Sequence, residues 1–148
     1  MIKRICNHCG KVYSGDKCSC KREKREYARN SFYDSPAWRS LSRYIRMRDY
    51  EQDRLCMYLI KIGRPSELSV LQRLYDYCID ASGLPRYRGD RLIAHHIVPR
   101  EDNYSLQYTV DNLITVGNSV HEYIHQLYAH EKESVQKILT AAVTASLP

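Results

Sequence analysis

Two short apolar runs and a helical stretch follow one another between residues 91 and 129, and four of the six histidines sit inside them. Residues 92–98 form an apolar run interrupted by His95-His96, suited to a strand, and 112–116 form a second. Thirteen irregular residues, 99–111, connect the two. Ser119 followed three residues later by Glu122 reads as a capping box that opens a helix running to about residue 128. Strand, long loop, strand, helix is therefore the local order. His121 and His125, four apart on that helix, project from one side on adjacent turns, where two imidazoles can share a metal ion. Neighbours in a strand point to opposite faces, so one of His95 and His96 can turn toward a metal while the other turns toward a bound water. A helical His pair alone is commonly a surface accident, and a His-His dipeptide carries less still; the joint arrangement carries the signal.

The remaining sequence predicts mostly helix, which makes the expected class α+β. Asp34-Ser35-Pro36 is a helix start, with capping residues just ahead of a proline. Trp38, Leu41 and Ile45 then recur at helical spacing opposite Arg39, Arg43 and Arg46, giving one apolar and one basic face. A second helix is expected over 51–62, stopped at Gly63, and a third over 67–81, with Ser66 as cap and Gly83 as terminator. Residues 84–90 read as a basic loop, and a last helix is expected over 132–144.

Charge is divided unevenly. Residues 1–48 hold 13 Lys/Arg against 4 Asp/Glu, whereas 49–148 hold 10 against 13, for a net +6. A basic arm on a mildly acidic body suits a polyanionic partner, with nucleic acid first among them. No apolar run is long enough to cross a bilayer, and residues 1–6 lack the apolar stretch of a signal peptide, which points to a cytoplasmic protein without a membrane partner. Oligomeric state has no sequence signature here.

Four of the six cysteines fall in the first 20 residues, as Cys6-x-x-Cys9 and Cys18-x-Cys20 around Gly10, Gly15 and Asp16. Two thiolate pairs closing a turn suit a structural zinc of the knuckle or ribbon kind, although the second pair is tighter than usual and His8 is an alternative ligand. The bland alternative is four free thiols in a tail. These features divide the chain into a zinc knuckle or ribbon at 1–24, a charged linker or helix at 25–31, and a domain over 32–148 with its core at about 91–129.

His95-His96-Ile97-Val98-Pro99, Asp111-Asn112-Leu113-Ile114-Thr115 and His121-Glu122-Tyr123-Ile124-His125 together resemble the three parts of the HNH, or ββα-metal, nuclease motif. The likeness is nearest to the colicin-type DNases, which carry a His-His pair, a central Asn and two histidines four apart. Phe32-Tyr33-Asp34-Ser35-Pro36-Ala37-Trp38-Arg39-Ser40-Leu41 extends it, because phage-type members often open with a similar aromatic-Trp-Arg helix. The resemblance implies an endonuclease that hydrolyses phosphodiester bonds of double-stranded DNA, leaving 5′-phosphate and 3′-hydroxyl ends. His96 would be the general base, and Asn112 would hold the strand–loop geometry and help orient the His96 ring. His95, His121 and His125 would bind one divalent ion, with Mg, Mn, Ni and Zn all admissible. Arg39, Arg43, Arg46, Arg86, Arg88 and Arg91, with the basic segment 21–25, would contact DNA. Many phage-type members also carry a zinc on two Cys-x-x-Cys pairs. The matching positions here are Cys56, Leu59, Gly117 and Val120, so that zinc is expected to be lost, and Cys56 and Cys78 are expected to be buried as small apolar residues.

Two other readings compete. A zinc-containing DNA-binding protein without catalysis, a regulator or packaging accessory, would use the same basic surfaces. His121-Glu122-Tyr123-Ile124-His125 also satisfies the H-E-x-x-H pattern of zinc proteases. That reading needs a third ligand downstream; the position six residues after His125 is Glu131, Glu133 lies too close along the chain, and His95, His96 and Asn112 would be left unused.

Overall fold

A computed structural model describes residues 3–5, 10, 12–14 and 32–147. The chain divides into two compact units, Met1–Asp34 and Ser35–Pro148. In the first, β1 (Lys3–Ile5) pairs antiparallel with β2 (Val12–Ser14), with Lys3 opposite Ser14 and Ile5 opposite Val12. Ile5 and Val12 are both exposed. Cys6, Cys9, Cys18 and Cys20, the expected zinc ligands, and the basic segment 21–25 lie outside the described residues.

The second unit is α+β. Its helices are α1 (Pro36–Arg48), α2 (Arg54–Ile62), α3 (Val70–Cys78) and α4 (Asn118–Thr144), and its sheet is the antiparallel pair β3 (Leu92–His96) and β4 (Leu113–Gly117). Register runs from Leu92 opposite Gly117 to His96 opposite Leu113. Ile93 and His95, with Ile114 and Val116 across from them, share the face that meets α4, where Val120, Ile124 and Leu127 complete the core. The other face meets α1, whose Trp38 is buried. The hairpin is thus covered on both sides, which explains why every residue of β4 is buried. No helix among the described residues is long and apolar enough to cross a membrane.

Capping follows the local chemistry. Ser35 accepts from the Trp38 amide at 3.1 Å with Pro36 in the first turn, as its sequence signal implied. Asp53 accepts from the Cys56 amide at 2.8 Å, so α2 begins three residues later than the expected 51, and it ends at Gly63, whose φ of 75° suits glycine. Ser69 rather than Ser66 caps α3, which stops at Cys78 because residues 79–85 turn back and Ile79 bridges Pro85.

The start of α4 corrects a sequence expectation. Ser119 and Glu122 do not form a capping box: β4 runs directly into the helix, and Gly117 at the cap has no side chain. Carboxylates from elsewhere serve the first amides instead, Asp53 accepting from Gly117 at 2.7 Å and Asp90 from Ser119 at 2.8 Å. Glu122 accepts from the Asn118 side chain at 3.2 Å. The two C-terminal helices expected from sequence are joined end to end, with one non-helical residue, Glu131 (φ −135°), between them. Arg73 of α3 pairs with Glu131 at that break.

Asp49, buried just after α1, is an electrostatic hub. It accepts from Arg48 at 2.8 and 2.9 Å, from Arg54 at 3.1 Å, and from the Thr115 amide of β4 at 2.9 Å. Arg48 also reaches the Val110 and Leu113 carbonyls, and Arg54 donates to the Ala142, Val143 and Ala145 carbonyls at the end of α4. One carboxylate and two guanidinium groups therefore tie α1, α2, β4 and the end of α4 together.

Candidate metal centre

The β3–β4 register puts His95 on the face toward α4, and the helical period brings His121 and His125 up beneath it. The ring centroid of His95 lies 5.1 Å from that of His121 and 5.3 Å from that of His125, and one ligating atom from each of the three lies within 4.8 Å of the others. His121 Nε2 and His125 Nε2 approach to 2.9 Å. Bonds of about 2.1 Å in tetrahedral geometry place donor atoms roughly 3.4 Å apart, so small side-chain adjustments let the three rings share one ion. His95 is buried, His121 half-buried and His125 exposed, which leaves the cluster open to solvent on one side.

Electrostatics favour the ligand form of His95 and His121. Burial, then repulsion from His121 and His125, holds His95 well below the ordinary imidazole range. Burial and His125 bring His121 down to about 4. Neutral imidazole carries the lone pair a metal needs. Tyr128, one turn past His125, completes the surroundings: its hydroxyl donates to the Ile97 carbonyl at 2.7 Å and lies 3.4 Å from His95 Nε2.

His96 faces the other way. Its ring stacks on Trp38 of α1, centroids 4.9 Å apart and planes 18° from parallel. Its Nε2 lies 3.0 Å from the Gln107 carbonyl, and since a carbonyl only accepts, Nε2 carries the proton and Nδ1 the lone pair. Burial lowers its proton affinity, Arg100 adds to that effect, and the Gln107 bond opposes it. Burial and the Gln107 carbonyl thus favour a neutral imidazole protonated on Nε2.

Asn112 stands where the long loop re-enters the hairpin. Its Oδ1 accepts from the Val98 amide at 2.9 Å, and its Nδ2 donates to the Val98 carbonyl at 3.1 Å and the Leu106 carbonyl at 3.4 Å. It fastens the two ends of the loop. Its influence on His96 runs through the chain, because Leu106 precedes the residue whose carbonyl holds the ring. Two short 3₁₀ turns, Tyr104–Leu106 and Val110–Asn112, give order to a segment that looked irregular in sequence.

Of the basic residues singled out from sequence, Arg39 is exposed and adjoins Trp38, so it stands beside the His96 end of the hairpin, with exposed Arg43 one turn further on. Arg46 is engaged with Ser42 at 3.3 Å and Glu51 at 3.8 Å. Arg86, Arg88 and Arg91 are at the far end of β3, where the Arg91 carbonyl accepts from Asn118. Five residues of strand at about 3.3 Å each separate Arg91 from His96, so that loop is not part of the histidine cluster. Arg86 is further occupied by the Asp76 and Ile79 carbonyls.

Sequence reasoning missed Gln107, Arg100 and Tyr128, and it read Trp38 as helix packing and as part of the family-like opening segment without placing it against His96. Tyr128 carried a signal, three residues past His125 on the same helical side; Gln107 carried none. At the positions of the expected lost zinc, Cys56, Leu59 and Val120 belong to the core and Gly117 is a backbone junction. A cavity of about 380 Å³ lined by Asp53, Cys56, Gly117 and Val120 adjoins them, holding one thiol rather than four. Cys56 and Cys78 are free and buried; a hydrogen bond with the Cys78 thiol, then burial, pushes the Cys56 thiol upward, so it stays protonated. No known family model, curated protein or solved structure matches this chain.

Proposed function

We propose that the chain is a metal-dependent endonuclease of the HNH, ββα-metal kind, hydrolysing DNA phosphodiester bonds with His96 as general base. The observation that carries this reading is the division of one dipeptide: His95 turns into a three-imidazole cluster while His96 turns away, against Trp38 and the Gln107 carbonyl. The hairpin followed directly by a helix supplies the ββα order in which that division arises.

His95, His121 and His125 would hold one divalent ion, and such an ion supplies a Lewis acid beside a phosphate and its departing 3′ oxygen. Three protein nitrogens leave coordination positions for water and phosphate, and His125 lies on the open side. His96 would take a proton from the attacking water at Nδ1. Trp38 and the Gln107 carbonyl prevent the ring from rotating, which matters because general-base catalysis depends on hydrogen-bond reach. Asn112 keeps the loop closed around the base. A protease built on His121-Glu122-x-x-His125 is disfavoured because the third nitrogen comes from β3, upstream, and Glu122 is engaged with Asn118.

Supercoiled plasmid incubated with the protein and each of several divalent metals tests this. Wild type is expected to nick or cut, chelator to stop it, and His96→Ala to lose about 10²- to 10⁴-fold in rate. Equal survival of plasmid with wild type and His96→Ala, across all metals, would leave a DNA-binding role in place of catalysis.

A further inference from the structure

At the end of the hairpin away from His96, where Leu92 pairs with Gly117, a cavity of about 380 Å³ opens between the start of α2, the 85–90 loop and the start of α4. That volume suits a small molecule, and the walls are mixed: Met57, Tyr87, Leu92 and Val120 give apolar surface, while Asp53 and Asp90 give carboxylates. Both carboxylates converge on Gly117. A methyl group built on that glycine would lie 3.4 Å from Asp90 Cβ, 3.5 Å from Asp53 Oδ2 and 3.8 Å from Asp90 Oδ2. Gly117 has a φ of −70°, which any residue adopts, and those distances are ordinary contacts, so neither backbone nor packing calls for glycine there. Its missing side chain keeps the space between the two acids open.

Charge at this spot is not balanced by side chains. Asp53 accepts from the Cys56 and Gly117 amides and Asp90 from the Ser119 amide, but neither acid forms an ion pair among the described residues. Arg88, also on the cavity wall, lies 4.0 Å from Asp80, and Glu51 lies 3.8 Å from Arg46. The start of α4 sets roughly half a positive charge against two negative ones. Burial holds the Asp53 carboxyl above its ordinary range despite its amide partners, a cost that a cation would relieve. A bare metal ion is a poor match, because among the described residues only His95, His121 and His125 make a group of three metal-ligating side chains close enough to share one.

We propose that this cavity binds a small organic cation, a primary amine with an apolar body, whose ammonium group lies between Asp53 and Asp90 and whose body lies against Met57, Tyr87, Leu92 and Val120. An ammonium group offers three donors, and a carboxylate oxygen that accepts one amide keeps a further lone pair. The site stands apart from the histidine cluster and does not depend on the nuclease reading. Because the same carboxylates meet the first amides of α4, occupancy bears on the helix that carries His121 and His125.

The test uses the full-length protein without DNA, titrated with phenethylamine or hexylamine and followed by calorimetry, by unfolding temperature and by NMR of labelled methionine methyls. At least one amine is expected to bind, to raise the unfolding temperature, and to shift the Met57 signal while that of Met47, exposed on α1, stays in place. Phenethyl alcohol, with the same body and no charge, is expected to bind about 10-fold or more weakly than phenethylamine, and ammonium chloride at equal concentration to leave the Met57 signal unmoved. Asp90→Asn is expected to weaken amine binding by about 10-fold or more. Gly117→Ala fills the gap between the acids and is expected to fold yet lose the amine; it decides the matter if Asp90→Asn does not fold. Binding of neither amine at millimolar concentration would overturn the proposal, as would binding that leaves the Met57 signal in place. Equal binding of the alcohol, which marks a plain apolar hole, or wild-type affinity in either folded variant would overturn it as well.

Discussion

His95 and His96 differ by one position in a strand, and that parity gives them separate surroundings. The assignment depends on groups around the rings as much as on the rings. Tyr128 links His95 to the Ile97 carbonyl, so Tyr128→Phe is expected to weaken metal binding by about 10- to 100-fold while the fold persists. Titration of the metal-free protein, followed by calorimetry, measures it directly. His121→Ala removes a proposed ligand rather than its support, and its loss should exceed the upper end of that range. Asn112 is different in kind, because its three hydrogen bonds are to backbone groups of the loop. Asn112→Ala is expected to cost about 1–3 kcal/mol, the penalty for leaving such groups unpaired, and to lower kcat through displaced His96. Urea denaturation and single-turnover cleavage separate the two effects.

Helices and hairpin are held in register by Asp49. Burial alone would raise its pKa, yet hydrogen bonds from Arg48 and from the Thr115 amide outweigh that and hold the carboxyl below its ordinary range. A lowered folded-state value stabilises the protein above the unfolded value of about 3.9 and is lost as pH falls through the folded value. Wild-type urea midpoints are therefore expected to fall in acid below that point, and Asp49→Asn to show a smaller acid-dependent loss. Asp49→Ala leaves Arg48 and Arg54 facing each other without their counter-ion and is expected to cost about 3–5 kcal/mol. At the start of α4, capping depends on carboxylates from the 49–53 turn and from the loop before β3. Local sequence suggested a self-contained cap instead. Side-chain pattern can locate a helix to within a turn, but it cannot tell which distant acid will meet the free amides.

Two kinds of metal site are expected in the whole molecule, one on the histidines and one on the N-terminal cysteines. Metal analysis should find about two ions per chain when both are filled and one zinc retained in His121→Ala. A single ion lost with Cys9→Ser and none lost with His121→Ala would remove the histidine site from consideration. Arg39 and Arg43 should add to salt-dependent DNA binding, whereas Arg86, beyond the far end of β3 and engaged with backbone carbonyls, should contribute little. Nitrocellulose-filter binding of the three alanine variants ranks them.

The order strand, loop, strand, helix and the pairing of His121 with His125 were readable in the chain because they follow from periods of 2 and 3.6, which are local. The α1 start and the α2 stop were readable for a similar reason: Ser35-Pro36 and Gly63 act within one turn of themselves. Nothing local could show that Trp38 lies against His96, that Gln107 meets both His96 and Arg100, or that Asp49 and Asp53 serve β4 and α4. Those contacts span up to 66 positions and exist only once both faces of the hairpin are covered. His95-His96 therefore came from the sequence as a pair with two directions, and the packing of α1 and α4 against opposite faces set what each direction meets.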